Sequence, residues 1–520
     1  QAPGFYELAC LDAKAGRFAE ALEHVNESIL RQYQCMKARA LKENILKKLG
    51  RVQEAEELHK ESLKIDPLYD RQPEKINHNT LLELMIDLYE AGDYAQGITL
   101  AEKWVEQQNV SRQEDIYPLV YYYIAYGYQN LHGKENTEQT NHYMTVYVTL
   151  GENAVADGCF PHRTEDYIVL KSLAEDYYLD MVYYYLGCLL YDRRAYGEAI
   201  ADYEEAARRY PDFPTVHRNL ALAYYNVKKQ PQRAYEEMEK AFALDETDAR
   251  VYLELDQLKK RLNVPVKERW SDMEKYFDLV ESRDDLYLEY VTLLNTLGEP
   301  EKALGLIKAR KFHQWEGGEG KVAAQYLTAL YQLAKAAVEK EDYAEAKELL
   351  LRAVGEYPHN LGEGKLESGQ ENNLYYLLGL VQEKLGEAKD AFESLTRACC
   401  GESEPVGMMY YNDQPPEMIY YQGLAYRMLG EEEQAVRRFQ KLVDYGREHI
   451  RDDVKIDYFA VSLPDLLIFE ENLNERNRKH CLFMMSLGLK GLGRIDEAEK
   501  CAEELLAMDN AHQEIRVHDL

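Results

Sequence analysis

The sequence predicts an all-α solenoid of stacked helix pairs, and three markers in one register predict it. The first is a six-residue motif that opens on Gly or a polar residue and closes on Glu-Ala or a near variant. It reads Gly16-Arg-Phe-Ala-Glu-Ala21, Gly50-Arg-Val-Gln-Glu-Ala55, Arg194-Ala-Tyr-Gly-Glu-Ala199, Gly298-Glu-Pro-Glu-Lys-Ala303 and Glu341-Asp-Tyr-Ala-Glu-Ala346. It returns as Gly386-Glu-Ala-Lys-Asp-Ala391, Gly430-Glu-Glu-Glu-Gln-Ala435 and Gly493-Arg-Ile-Asp-Glu-Ala498. The second marker is a small residue twelve positions before that alanine, at Ala9, Gly187, Ala334, Gly379 and Gly423, where two helices can cross closely. The third is proline twelve positions after it, at Pro67, Pro211 and Pro358. Proline lacks the N–H that would extend the second helix, so the helix stops there.

Ala21 and Ala55 lie 34 residues apart, the period of the tetratricopeptide repeat, in which antiparallel helix pairs stack into a right-handed superhelix. A chain of 520 residues then forms one continuous array rather than three or four globular domains. Residues 1–109 read as N-terminal repeats and 110–182 as an irregular, partly helical segment. Residues 183–310 read as further repeats, with one degenerate copy around Trp270, and 311–520 as C-terminal repeats with enlarged loops.

The spacing between motif alanines places those loops. Ala199 to Ala234 is an ordinary step of 35, and Ala234 to Ala303 is 69, about two repeats. The next steps are 43, 45, 44 and 63, ending at Ala498. The surplus, about ten residues per repeat, is expected to be loop. Gly, Pro and Asn cluster at 313–320, 358–369, 401–416 and 446–474, always between the second helix of one repeat and the first of the next. Loops at equivalent points of stacked repeats project from one edge and form a rim.

Composition narrows the partners. Lys and Arg number 62 against 93 Asp and Glu, a net charge of −31. Such a surface repels phosphate backbones and anionic headgroups, so neither nucleic acid nor membrane is expected as a partner. No stretch approaches the 18 or so apolar residues of a membrane-spanning helix. The eight cysteines show no CxxC pair or disulfide-like spacing, which fits a reducing cytoplasm. Gln1 opens directly into a repeat, which reads as a piece of a longer protein preceded by further sequence.

The rim carries the candidate chemistry. Its first loop, Lys311-Phe-His-Gln-Trp-Glu-Gly-Gly-Glu-Gly-Lys321, and its second, Tyr357-Pro-His-Asn-Leu-Gly-Glu-Gly-Lys-Leu366, share Gly-Glu-Gly-Lys. Glu319 and Glu363 therefore stand one repeat step apart. The third loop offers Tyr410-Tyr-Asn-Asp-Gln-Pro-Pro-Glu417 and the fourth Asp457-Tyr-Phe-Ala-Val-Ser-Leu-Pro-Asp465. Aromatic rings stack on apolar sugar faces, carboxylates accept from hydroxyls, and amides donate and accept. The expected ligand residues are Arg163, Phe312, His313, Trp315, Glu316, Glu319, Lys321, Glu363, Lys365, Tyr411, Asn412 and Asp413. In this reading Trp315 and Phe312 stack, Glu316, Glu319 and Glu363 bond hydroxyls, and Arg163, Asn412 and Asp413 assist.

Two other readings stand beside this one. Glu316 or Glu319 is the candidate acid or base if the rim acts on a glycoside. Alternatively the chain is a scaffold that binds peptides in its concave groove. The bland reading of the same loops is that their glycines turn the chain and their carboxylates cap the next helix. No metal or cofactor is expected. The thirteen histidines lack ligand spacing, and Gly-Glu-Gly-Lys lacks the spaced glycine and the Ser/Thr of a phosphate loop.

Five stretches together resemble one bacterial family. They are Phe160-Pro-His-Arg-Thr-Glu-Asp166, His217-Arg-Asn-Leu-Ala221, Phe312-His-Gln-Trp-Glu-Gly-Gly-Glu-Gly320, Tyr411-Asn-Asp-Gln-Pro-Pro416 and Val461-Ser-Leu-Pro-Asp465. They are similar to the C-terminal tetratricopeptide half of large proteins whose N-terminal half has galactose-mutarotase-like β-sandwich character. The sequence departs from that pattern at Gln314, where proline is expected, and at His162, where asparagine is expected. The resemblance implies a sandwich domain as partner and, by analogy with enzymes that join a sandwich to helices, an oligosaccharide ligand.

Overall fold

The computed structural model describes residues 2–67, 69, 76–111, 116–132, 138–156, 158–176, 179–315, 317–365, 369–407, 413–455 and 468–518. Among them there is no strand. The chain divides into two compact units, Gln1–Val216 and His217–Leu520.

In the first unit α1 (Ala2–Lys14) pairs with α2 (Phe18–Arg31), and α3 (Met36–Lys48) with α4 (Val52–Ile65). α5 (His78–Glu90) pairs with α6 (Tyr94–Ser111), and α7 (Pro118–His132) with α8 (Glu138–Asn153). α9 (Thr164–Asp176) packs on α7 and on α10 (Met181–Asp192), which pairs with α11 (Tyr196–Arg209). The stretch that reads as irregular in sequence thus contains α7, α8 and α9.

The boundary falls within α12 (Pro214–Asn226), and the second unit runs on through α13 (Pro231–Leu244) and α14 (Ala249–Arg261). The degenerate repeat around Trp270 has its second helix broken into α15 (Val266–Lys275) and α16 (Phe277–Ser282). Four regular pairs follow: α17 (Asp284–Thr296) with α18 (Pro300–Ala309), α19 (Lys321–Glu339) with α20 (Tyr343–Val354), α21 (Asn372–Lys384) with α22 (Ala388–Ala398), and α23 (Pro416–Met428) with α24 (Glu432–His449). α25 (Leu473–Gly491) pairs with α26 (Ile495–Met508), and the short α27 (Gln513–Val517) closes the series.

The motif is the turn inside each pair. Its first residue takes a left-handed backbone, φ 77° at Gly16 and 75° at Gly50, and this is why a polar residue there, Arg194 at 62° or Glu341 at 59°, is the exception. Gly16 N–H donates to Ala13 O and Arg17 N–H to Asp12 O, which satisfies two carbonyls that the helix end leaves open. The motif alanine is fully buried at Ala21, Ala55, Ala199, Ala303, Ala346 and Ala435. Opposite it, a Cβ on Gly187 would come within 2.5 Å of the Tyr203 ring, and one on Gly423 within 2.4 Å of Phe439. The small position is therefore a true close crossing.

In their described residues, the enlarged linkers between α18 and α19, α20 and α21, α22 and α23, and α24 and α25 join pairs where the turn residues predict. Contrary to the expectation from spacing, the surplus is not all loop. α19 and α25 run 19 residues and α24 runs 18, against 13 in α17, α21 and α23. The segment Lys321–Glu339 keeps a helical apolar spacing, with Val322, Tyr326, Ala329 and Leu330 buried, so added residues extend the helix.

Candidate functional site

The first two enlarged loops of the second unit meet. His313, Gln314, Trp315, Gly318, Glu319 and Val322 form one wall of a cleft of about 380 Å³, and Leu361, Gly362 and Glu363 form the other. Ligand sites of small molecules begin at about 300 Å³.

Asp284, at the start of α17, positions the first loop. Its carboxylate accepts from the His313 N–H at 2.8 Å, from Arg310 Nε at 2.6 Å, and meets His313 Nδ1 at 3.1 Å. Burial acts to raise this carboxyl, but the His313 N–H, Arg310 and the His313 ring outweigh it and hold it below the usual range. With Nδ1 turned to Asp284, the exposed imidazole keeps Nε2 for solvent or a ligand. Asn360 ties the second loop to the first. Its Nδ2 donates to Ile307 O at 2.8 Å and Arg310 O at 2.7 Å, and its own carbonyl accepts from Phe312 N at 2.8 Å.

Trp315 is half-buried, with its ring against the bare Cα of Gly318. Gly317 and Gly320 adopt φ 78° and 73°, which lets the loop reverse and enter α19. Glu319 and Lys321 are exposed beside it.

Several expected ligand residues serve the fold instead. Phe312 is 2% exposed and lies edge-on to Tyr287 with ring centres 6.0 Å apart, so it has no free face for stacking. Both oxygens of Glu363 accept backbone hydrogens of α19, from Gly320 at 2.8 Å and Ala323 at 3.1 Å. Lys365 donates to Val354 O at 2.6 Å and lies 2.7 Å from Glu371. The capping reading of the glutamates thus describes Glu363, with the difference that it caps the helix of the preceding repeat.

Arg163 belongs to the first unit, where Nε donates to Glu83 at 2.6 Å and Nη1 lies 3.8 Å from the buried Asp166. Asp166 in turn accepts from His162 N, Arg163 N and the Tyr123 hydroxyl, closing the start of α9. This gives Phe160–Asp166 a structural reason. His217 and Arg218 of the next stretch likewise pair with Glu237 at 2.6 Å and with the buried Glu254 at 2.6 and 2.7 Å. Asp413 is half-buried at the third loop. Glu316, Tyr411, Asn412 and the fourth-loop stretch 457–465 lie outside the described residues.

Asp284, Gln314, Leu361 and Asn360 were not among the expected residues. Asn360 alone had a local signal, an amide in a turn beside proline; Asp284 lies a full helix pair upstream of the loop it holds.

Models of tetratricopeptide repeats match residues 184–249, 331–405 and 417–445. The chain contains tetratricopeptide repeats. Similar solved structures include the tetratricopeptide domain of P58(IPK), 11% identical with a TM-score of 0.21, over 83% of this chain and 98% of that one. Yeast Tom70 is 10% identical with a TM-score of 0.29, over 99% and 94%. Cut9-Hcn1, an APC/C hetero-tetramer, is 12% identical with a TM-score of 0.27, over 100% and 89%. Repeats of this kind make the chain a helical-repeat scaffold of the type that mediates protein interactions. No helix among the described residues is long and apolar enough to cross a membrane.

Proposed function

We propose that the scaffold holds a small polar ligand, of the neutral glycan class, in the cleft between the loops at 311–320 and 358–365. The observation that carries this reading is the convergence of an aromatic ring, an amide, an imidazole and a carboxylate on one concavity. These are Trp315, Gln314, His313 and Glu319, on loops held by hydrogen bonds with Asp284, Asn360 and Glu363. A sugar ring stacks on Trp315, its hydroxyls donate to Glu319, and the Gln314 amide donates and accepts.

The β-sandwich domain that the sequence resemblance implies would share the ligand by closing the cleft from outside. The test is an oligosaccharide panel titrated calorimetrically against this chain, with Trp315→Ala and Glu319→Gln alongside. Saturable binding that falls at least about tenfold in Trp315→Ala supports the reading. Binding unchanged in Trp315→Ala removes the cleft from it, and silence across the panel withdraws the glycan class for this chain.

A further inference from the structure

The segment after α26 crosses back over the second unit and lies on the first helices of its repeats. Asn510 pairs with Asn263 at the left-handed turn after α14: its N–H donates to Asn263 Oδ1 at 2.8 Å, and its Nδ2 donates to Asn263 O at 2.7 Å. Gln513 Nε2 donates to Thr292 O and Thr296 Oγ1 on α17, each at 3.1 Å, while Gln325 Nε2 on α19 donates to Gln513 Oε1 at 2.8 Å. Further along, Lys335 Nζ donates to Val517 O at 3.0 Å. His518 Nδ1 stands 3.0 Å from the Tyr421 hydroxyl of α23, itself 2.5 Å from that of Tyr331. Between these contacts Ile515 and Val517 are buried, 1% and 7% exposed.

This is how a chain binds a ligand rather than how it completes a core. α27 has five residues, far below the dozen or so that sustain an isolated helix, so the groove imposes its form. α17, α19 and α23 each pack on their own partner and on the next pair without it. Most of the contacts are amide, hydroxyl or ammonium groups meeting backbone or amide atoms, groups that water can satisfy equally well once the segment leaves.

We propose that residues 509–518 are a resident ligand of the inner groove of the second unit. The groove accepts in trans a peptide of the same chemistry, with Asn three positions before Gln and branched aliphatics two and four positions after that Gln. The tethered segment competes at an effective concentration in the millimolar range, so the intact chain keeps its groove shut until the segment is displaced. This is independent of the rim cleft.

The test is hydrogen exchange on the full chain, with a synthetic peptide of residues 507–518 as probe. Amides of 513–518 exchange at least about tenfold faster than those of α17 and α19, and adding the peptide speeds them further. A full-chain variant with Asn510→Ala and Gln513→Ala, in which the tether is weakened, binds the same peptide at least about tenfold tighter than the intact chain. The peptide carrying those two substitutions binds neither. Protection of 513–518 equal to that of α19 overturns the proposal whatever the variant does, because it makes the segment a permanent part of the unit. A folded variant that takes up no peptide overturns it as well.

Discussion

Glu363 accepts from the Gly320 N–H at 2.8 Å, so a side chain in one repeat caps the helix that opens the repeat before it. The second oxygen takes Ala323 N–H at 3.1 Å. Two of the four N–H groups that α19 leaves open are thereby satisfied, by a charge placed at the positive end of the helix. Glu363→Ala is expected to destabilise the second unit by about 1–2 kcal/mol, the range of lost caps. Glu363→Gln keeps an acceptor and should cost less. Urea denaturation followed by circular dichroism reads both, and an alanine variant as stable as the parent would deny the cap its role.

Trp315 and Gly318 make the wall of the cleft between them. A Cβ on Gly318 would fall 2.3 Å from the indole, and the atoms it meets belong to a rigid ring. Gly318→Ala therefore rotates Trp315 outward rather than leaving it in place. The expected readout is a red-shifted emission component, absent when the same change is made in a Trp315→Phe background. An unshifted spectrum would mean that the ring does not lie on Gly318 in solution.

The repeat was legible because its signals are local. The left-handed turn residue, the buried alanine, the small crossing residue and the stopping proline all act within one helix pair. Gly187 could be read as a crossing without knowing that Tyr203 fills the other side. The rim was legible as far as its loops and Trp315, since surplus turn residues must leave the stack somewhere. What was not legible depends on residues far apart in the chain. Phe312 reads as an exposed loop aromatic until Tyr287 is seen beside it, and Glu363 reads as a ligand group until its partners are found 40 and 43 residues upstream. Spacing alone counts extra residues without saying whether they turn or continue a helix, which is how the length of α19 escaped. The segment after α26 has no periodic signal, because its partners on α17, α19, α23 and the turn after α14 lie 97 to 247 residues away.

In the degenerate repeat a buried cation holds two carboxylates from different helices. Arg269, 1% exposed, meets Asp256 of α14 at 2.6 and 3.0 Å and Glu289 of α17 at 2.7 Å. Removing the cation alone leaves Asp256 uncompensated, so Arg269→Met should cost about 3–5 kcal/mol. Adding Asp256→Leu to it should recover part of that loss, because the desolvation of both charges is then avoided. Trp270, next in the chain, reports the transition by fluorescence. If the double variant is less stable than the sum of the two single ones, the pair is not the source of the cost.

Two buried groups around the segment after α26 titrate in opposite senses. Burial first, and the Glu514 carboxylate second, push the Glu417 carboxyl up from its ordinary 4.5 to about 8. The folded state then holds that proton more tightly than the unfolded one, so the contribution of Glu417 is complete below about 4.5 and is lost as pH rises through about 8. Burial first, and Lys335 second, push His518 down from 6.5 to about 3. Its contribution is complete above 6.5 and is lost as pH falls toward 3. Each slope is at most about 1.4 kcal/mol per pH unit. Between 4.5 and 6.5 the two oppose and nearly cancel, from 6.5 to 8 the Glu417 slope stands alone, and below 4.5 the His518 slope does. Urea melts at stepped pH should show Glu417→Gln flattening the alkaline limb and His518→Gln the acid limb, each leaving the other limb in place. An alkaline limb that persists in Glu417→Gln would assign the loss of stability above pH 6.5 to other groups.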